Sequence, residues 1–186
     1  MVGDFEGNGF SSYRCTYTYV AVEQRKVFCG DLGDEKMIVI EKAQKEDLKK
    51  ILELQYLAYQ SEAELFGNMD IPPLKQTLEE VYDELNKGVI LKAIDENGDI
   101  IGSVRAYQDA GTVYIGKLMV HPDMQNKGIG TRLLLEIENV YPNQRYELFT
   151  STRSIRNIKL YEKLGYETFK EERVSKELQF VYMQKG

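Results

Sequence analysis

The chain has 186 residues, 42% of them hydrophobic, which is enough for one well-packed domain and too few for two. Thirteen Tyr and seven Phe without a Trp predict a core rich in medium-sized aromatics. A formal charge of −6 repels polyphosphate backbones, which argues against nucleic acid and favours a cationic small molecule or a basic peptide end as partner.

Residues 1–36 differ in character from the remainder of the chain. Gly, Ser and Asn dominate the start, SYRCTYTYVAV alternates weakly, and GDLGDEK is a turn-rich joint. An N-terminal extension is expected here, either added sequence ahead of the domain or a strand or flap packed on it. The opening MVGDFEGNGF lacks the basic and apolar regions of a secretory signal. No apolar run approaches the roughly 20 residues that span a bilayer. Cys15 and Cys29 form no CxxC pair and His121 is the single histidine, so the common zinc spacings are absent. The expectation is a cytoplasmic protein with two reduced thiols, no metal and no membrane partner.

Met37 opens MIVIEKA, a first strand, and orderly patterning from there makes 37–186 the expected domain. QKEDLKKILELQYLAYQSEAELF places Leu48, Ile51, Leu52 and Tyr59 at helical spacing, with acids in the first turn where the dipole favours them. GNMDIPP breaks that helix, and LKQTLEEVYDELNKG predicts a second one stopped by Gly88. VILKAID and IIGSVRAYQ form a hairpin about the Asn97-Gly98 turn, and DAG turns again into TVYIGKLMV. A helix comes next with Ile129, Leu133, Leu134, Ile137 and Val140 on one face, then the strand YELFTS. SIRNIKLYEKLGY is a short helix with Gly165 at its C-terminal cap, and YETFKEE and LQFVYMQ close the chain as strands. The predicted fold is mixed α/β of the α+β type, a mainly antiparallel twisted sheet flanked by helices.

Between TVYIGKLMV and TRLLLEIENV stands QNKGIG, residues 125–130. A P-loop needs GxxxxGK[ST], but here Lys127 precedes Gly128 with no glycine five positions earlier. A dinucleotide turn needs GxGxxG, and Leu133 occupies the third glycine position. What remains is Gln125-x-x-Gly128-x-Gly130 ahead of a helix. Backbone N–H groups there point one way and carry the positive end of the dipole, which suits a pyrophosphate. A tight strand–helix turn with no ligand is the alternative.

Residues 37–186 resemble the GNAT superfamily of N-acetyltransferases, whose signature Q/R-x-x-G-x-G/A is met by Gln125 to Gly130 at every defined position. A second match is NIKLYEKLGY, where Asn157 and Tyr161 fit the family's N…Y-x-x-x-G-[FY] helix. The resemblance implies a GNAT-like acyl-CoA N-acyltransferase fold in which the fourth and fifth strands, counted from Met37, splay apart around the pantetheine arm of acetyl-CoA. Leu118, Met119 and Val120 would then be the backbone partners of that arm. The amides of Gln125, Asn126, Lys127, Gly128, Ile129, Gly130 and Thr131 would hold the pyrophosphate, with Lys127 either adding charge or lying in solvent. Asn157 would bond to the pantetheine arm, and Tyr161 would stand near the sulfur as the acid for the departing thiolate, its alternative being a core aromatic.

Many family members take their base from the fourth strand, and TVYIGKLMV carries no carboxylate. Glu62, Glu64 and Asp70, in the segment expected to wall the acceptor site, are the nearest candidates, and His121 reads as a loop residue. The implied activity is direct acetyl transfer from acetyl-CoA to a primary amine of a small molecule or protein. A longer acyl donor and a non-catalytic CoA-binding sensor remain alternatives, and a homodimer is left open.

Overall fold

The computed structural model describes residues 18–22, 25–29, 37–175 and 178–186. Their strands form one sheet in the order β1-β2-β3-β4-β5-β6-β7-β9-β8, in which every neighbouring pair is antiparallel except β6 and β7. This is the mixed, mainly antiparallel sheet that the patterning predicts. Two strands precede the expected first one: β1 (Thr18–Val22) and β2 (Arg25–Cys29) pair with each other, and β2 adds to β3 (Ile38–Lys42) in the register Lys26↔Ile40 to Phe28↔Ile38. Cys15 lies outside the described residues and Cys29 is described by backbone alone, so the expectation of free thiols is outside the described side chains.

A turn of 3-10 helix leads into α1 (Leu48–Phe66), which ends where Gly67 turns left-handed at φ 64°. The predicted second helix is two. Pro72–Lys75 make a single turn, α2, and α3 (Leu78–Lys87) begins afresh. Thr77 and Glu80 are the reason. The Glu80 N–H donates to Thr77 Oγ1 at 3.3 Å and the Thr77 N–H to Glu80 Oε2 at 2.7 Å, a reciprocal cap that starts a new helix.

β4 (Val89–Ile94) and β5 (Ile100–Asp109) form the predicted hairpin, its turn held by Asp95 Oδ1 accepting from the N–H groups of Asn97 and Asp99. β6 (Thr112–Val120), α4 (Ile129–Val140), β7 (Arg145–Ser151) and α5 (Ile155–Lys163) come next, then β8 (Glu167–Arg173) and β9 (Gln179–Lys185). Helices cover both faces. Leu133, Leu134 and Ile137 of α4 pack with Tyr161 and Tyr166 on Ile40, Val104, Val113 and Met183. Leu48, Ile51 and Leu52 of α1 pack with Val81 on Ile90 and Met119. Each such side chain, taken out of water, contributes about 1.5–3 kcal/mol. Alternate residues of the strands thus anchor opposite helix layers, and the two layers meet at the far end of β6.

Candidate active site

β6 and β7 pair only from Thr112↔Arg145 to Tyr114↔Glu147. Beyond that β6 runs on to Val120 while β7 continues with β9 on its other edge, so the two strands part and a wedge opens between them. A second irregularity lies on the β5 side. Arg105 pairs with Gly116 and Ser103 with Met119, leaving Lys117 and Leu118 opposite Val104. This bulge holds Lys117 at φ 51°, a left-handed backbone that side chains beyond Cβ adopt at a cost of about 1–3 kcal/mol.

The helix that ends at this wedge has an open N-terminus. Its N-cap is Gly128 at φ 75°, with no side chain bonded to the first turn, and Asn126 two residues earlier is also left-handed at φ 63°. Among the described residues, none of the N–H groups of residues 126–131 donates a hydrogen bond. Such a run of aligned, unsatisfied donors at the positive end of a helix is an anion cradle. A Cβ added at Gly130 would stand 3.5 Å from Leu160 and 3.9 Å from Leu118 and Val120, in the throat between β6 and α5. Gln125 spans the mouth: its Nε2 donates to the Val120 carbonyl and its Oε1 accepts from Arg156.

The resulting cleft, about 630 Å³, is walled by α1, β6, the glycine loop and the start of α5. Tyr59 and Glu62 face it from α1. Ser154 Oγ donates to Glu62 Oε1 at 3.2 Å, yet burial pushes the Glu62 carboxyl above its ordinary value, against the pull of Ser154 and Lys117. Burial also raises the Tyr161 phenol, with the Glu62 charge adding to the shift. The Tyr161 ring is 6% exposed, tilted against Tyr166 at 6.1 Å, and its hydroxyl makes no hydrogen bond among the described residues. Tyr59 is raised by burial and by the same carboxylate, then by Tyr161.

Leu118, Met119, Val120, Gln125, Asn126, Gly128, Ile129, Gly130, Thr131, Asn157 and Glu62 all line this one cleft. Tyr161 sits behind the wall rather than in it, close enough to couple with Glu62. Lys127 is exposed and turns its ammonium back on Met124 Sδ. Glu64 is exposed and faces elsewhere, while Asp70 pairs with Lys75 beside a neighbouring pocket. Four lining or flanking residues have no place in the sequence motifs: Tyr59, Arg153, Arg156 and Lys117. Tyr59 is hidden in a helical apolar stripe. The i, i+3 spacing of Arg153 and Arg156 just before Asn157 is a legible signal for two cations at a helix start.

Residues 57–186 match the family model described as "Acetyltransferase (GNAT) domain". The chain is 28% identical over 120 residues to the UPF0157 protein YqkA of Bacillus subtilis, a match covering 64% of this chain and 34% of that protein. Its fold is similar to that of the ribosomal-protein-S18-alanine N-acetyltransferase of Escherichia coli, with a TM-score of 0.66 at 16% identity over 80% of this chain and 92% of the other. It is also similar to the paia N-acetyltransferase of Thermoplasma acidophilum solved with coenzyme A, at 0.60 and 18% over 78% and 97%. At these identities the two structural likenesses are likenesses of fold.

Proposed function

The chain belongs to the GNAT acetyltransferase family, and from that premise we propose that it moves an acetyl group directly from acetyl-CoA to a primary amine. The observation that carries the reading is the uncapped N-terminus of α4, opening on a wedge in the sheet beside a half-buried carboxylate. The cradle fits a pyrophosphate, and the unpaired edge of β6 at Leu118, Met119 and Val120 fits an extended amide-bearing arm. Arg153 and Arg156 add positive charge along the same groove.

In the proposed reaction the acceptor amine loses a proton to Glu62, and its nitrogen bonds to the thioester carbonyl carbon. The C–S bond then breaks, the departing thiolate takes the Tyr161 hydroxyl proton, the surplus proton left on the bonded nitrogen restores the phenol, and Glu62 returns its own proton to solvent. Burial supports the role of Glu62. A carboxylate held above its ordinary pKa is a stronger base than a solvated one. A lysine-like amine needs such help, since freeing its lone pair at pH 7 costs about 4.6 kcal/mol, against about 1 kcal/mol for an α-amine. Tyr161 in turn is weakened as an acid first by burial, which raises its pKa, and then by the Glu62 charge, which raises it further. Once Glu62 has taken the amine proton this contribution vanishes, and Tyr161 becomes more acidic as the thiolate forms. Each proton move prepares the next.

Thiol release from acetyl-CoA with a panel of amines tests the proposal, product mass distinguishing acetylated amine from hydrolysis. Release that depends on the amine supports transfer. Tight acetyl-CoA binding with no acetylated product from any amine would instead favour a CoA-binding sensor.

A further inference from the structure

On the far side of the β6 bulge lies a second pocket of about 340 Å³, lined by Asp70, Pro72, Lys75, Gln76, Glu80 and Lys117. Its acids are all engaged. Asp70 pairs with Lys75, Glu80 accepts the N–H and hydroxyl of Thr77, and Glu84 just beyond pairs with Arg105 and accepts from Gln76. Lys117 is different: it is half-buried, and among the described residues its ammonium makes no hydrogen bond and no ion pair. It is also held where it is at the cost of a left-handed backbone, by a bulge that turns its side chain to this pocket while Leu118 lines the cofactor cleft. A second cation backs it. Arg105, opposite Gly116, is 5% exposed, and its Nε has no partner.

We propose that Lys117 anchors a carboxylate of the acceptor, so that the preferred substrate is a small amino-carboxylate whose amine lies toward Glu62. This rests on the transferase reading above and names the substrate class for it. The bonding pattern supports it: the lining charges cancel, Asp70 and Glu80 against Lys75 and Lys117, but of these four side chains Lys117 is the one without a direct partner among the described residues. One cation ringed by engaged carboxylates suits a monoanion and repels a phosphate dianion. Lys117 and Leu118 are neighbours on β6 and line the two cavities, so an acceptor held by Lys117 lies beside the cleft that holds Glu62. Burial depresses the Lys117 pKa, and a carboxylate beside it would restore the charged form. The protein's overall acidity attracts cationic molecules, and the unpartnered ammonium of Lys117 selects among them those that also carry an anion.

The test compares free L-amino acids with their carboxamides as acceptors, by kcat/KM in the thiol-release assay and by calorimetric binding to the CoA-loaded protein. A charge-assisted hydrogen bond predicts a preference for the acid of about tenfold to hundredfold. Lys117→Asn, a residue that tolerates the left-handed backbone, should bring the acid-to-amide ratio close to one, and Lys117→Arg should keep most of it. An equal ratio in the parent protein, or one unmoved in folded Lys117→Asn, overturns the proposal and leaves the transferase reading intact. If no amine turns over, the transferase reading fails instead. The binding ratio and its response to Lys117→Asn then decide the anchor on its own.

Discussion

Replacing Glu62 by Gln removes the proposed base while keeping shape, and the Ser154 hydroxyl that donates to Glu62 at 3.2 Å can donate to the amide oxygen as well. A positioned base contributes about 10²- to 10⁴-fold. How much of that is lost depends on the acceptor. With an amine of pKa about 10.4 the base faces about 4.6 kcal/mol at pH 7, whereas an α-amine near 7.8 asks for about 1 kcal/mol. E62Q should therefore cost near the top of that range for the first and near the bottom for the second. Raising the pH from 7 to 9 should restore about a hundredfold for the basic amine and less than about tenfold for the α-amine, because solvent then removes the proton. Stability should move the other way. Burial raises the Glu62 pKa in the folded state, so ionising it opposes folding as pH climbs through the interval between its ordinary and folded values. E62Q should thus melt higher than the parent at neutral pH, and the gain should vanish below the ordinary glutamate range. Thiol release at both pH values, calorimetry with acetyl-CoA and melting curves at acid and neutral pH check each part. A folded, CoA-binding E62Q with unchanged kcat/KM at pH 7 for a basic amine would refute the assignment.

Tyr161→Phe keeps the ring against Tyr166 and should lower kcat by about 10²- to 10⁴-fold with little change in acetyl-CoA affinity. Unchanged turnover would assign the thiolate's proton to solvent and leave Tyr161 as packing. Gly130→Ala should stabilise α4 by up to about 0.5–1 kcal/mol, since its Cβ meets only ordinary contacts, yet weaken acetyl-CoA by narrowing the throat. Gly130→Glu should abolish binding in a protein that still melts cooperatively, and retained affinity by calorimetry would remove the loop from the site. Deleting residues 1–36 should leave a chain that folds and binds acetyl-CoA, with a melting point lowered by the exposed edge of β3. Loss of the cooperative transition would make β1 and β2 part of the folding unit.

Local signals made most of this architecture readable. Period-2 and period-3.6 patterning marked seven strands and the long helices, and glycine with proline marked their ends. The break at Thr77 was written in the sequence as a capping box, TLEE, but the apolar spacing of Leu74, Leu78 and Val81 ran straight across it. Gln125 to Gly130 were legible because an anion cradle is a local device. Lys117, Tyr59 and Arg105 were not, because their roles depend on register. Only the slip that sets two residues of β6 against Val104 aims Lys117 at the pocket, and no letter in TVYIGKLMV announces it. The coupling of Glu62 with Tyr161 likewise joins residues nearly a hundred apart in the chain.

Three rungs of hydrogen bonding join β6 to β7, and past Tyr114 the sheet is two half-sheets sharing a corner. A molecule seated in the gap acts as a missing strand, bridging the two banks, and so enters the folding equilibrium as well as the chemistry. One bound at a hundred times its Kd adds about 2.7 kcal/mol to the free energy of unfolding. If the occupant is the proposed acyl donor, heat resistance and survival against proteases track its supply. A cell short of it would hold this protein in its more easily unzipped form, so that abundance and activity fall together without any dedicated regulator.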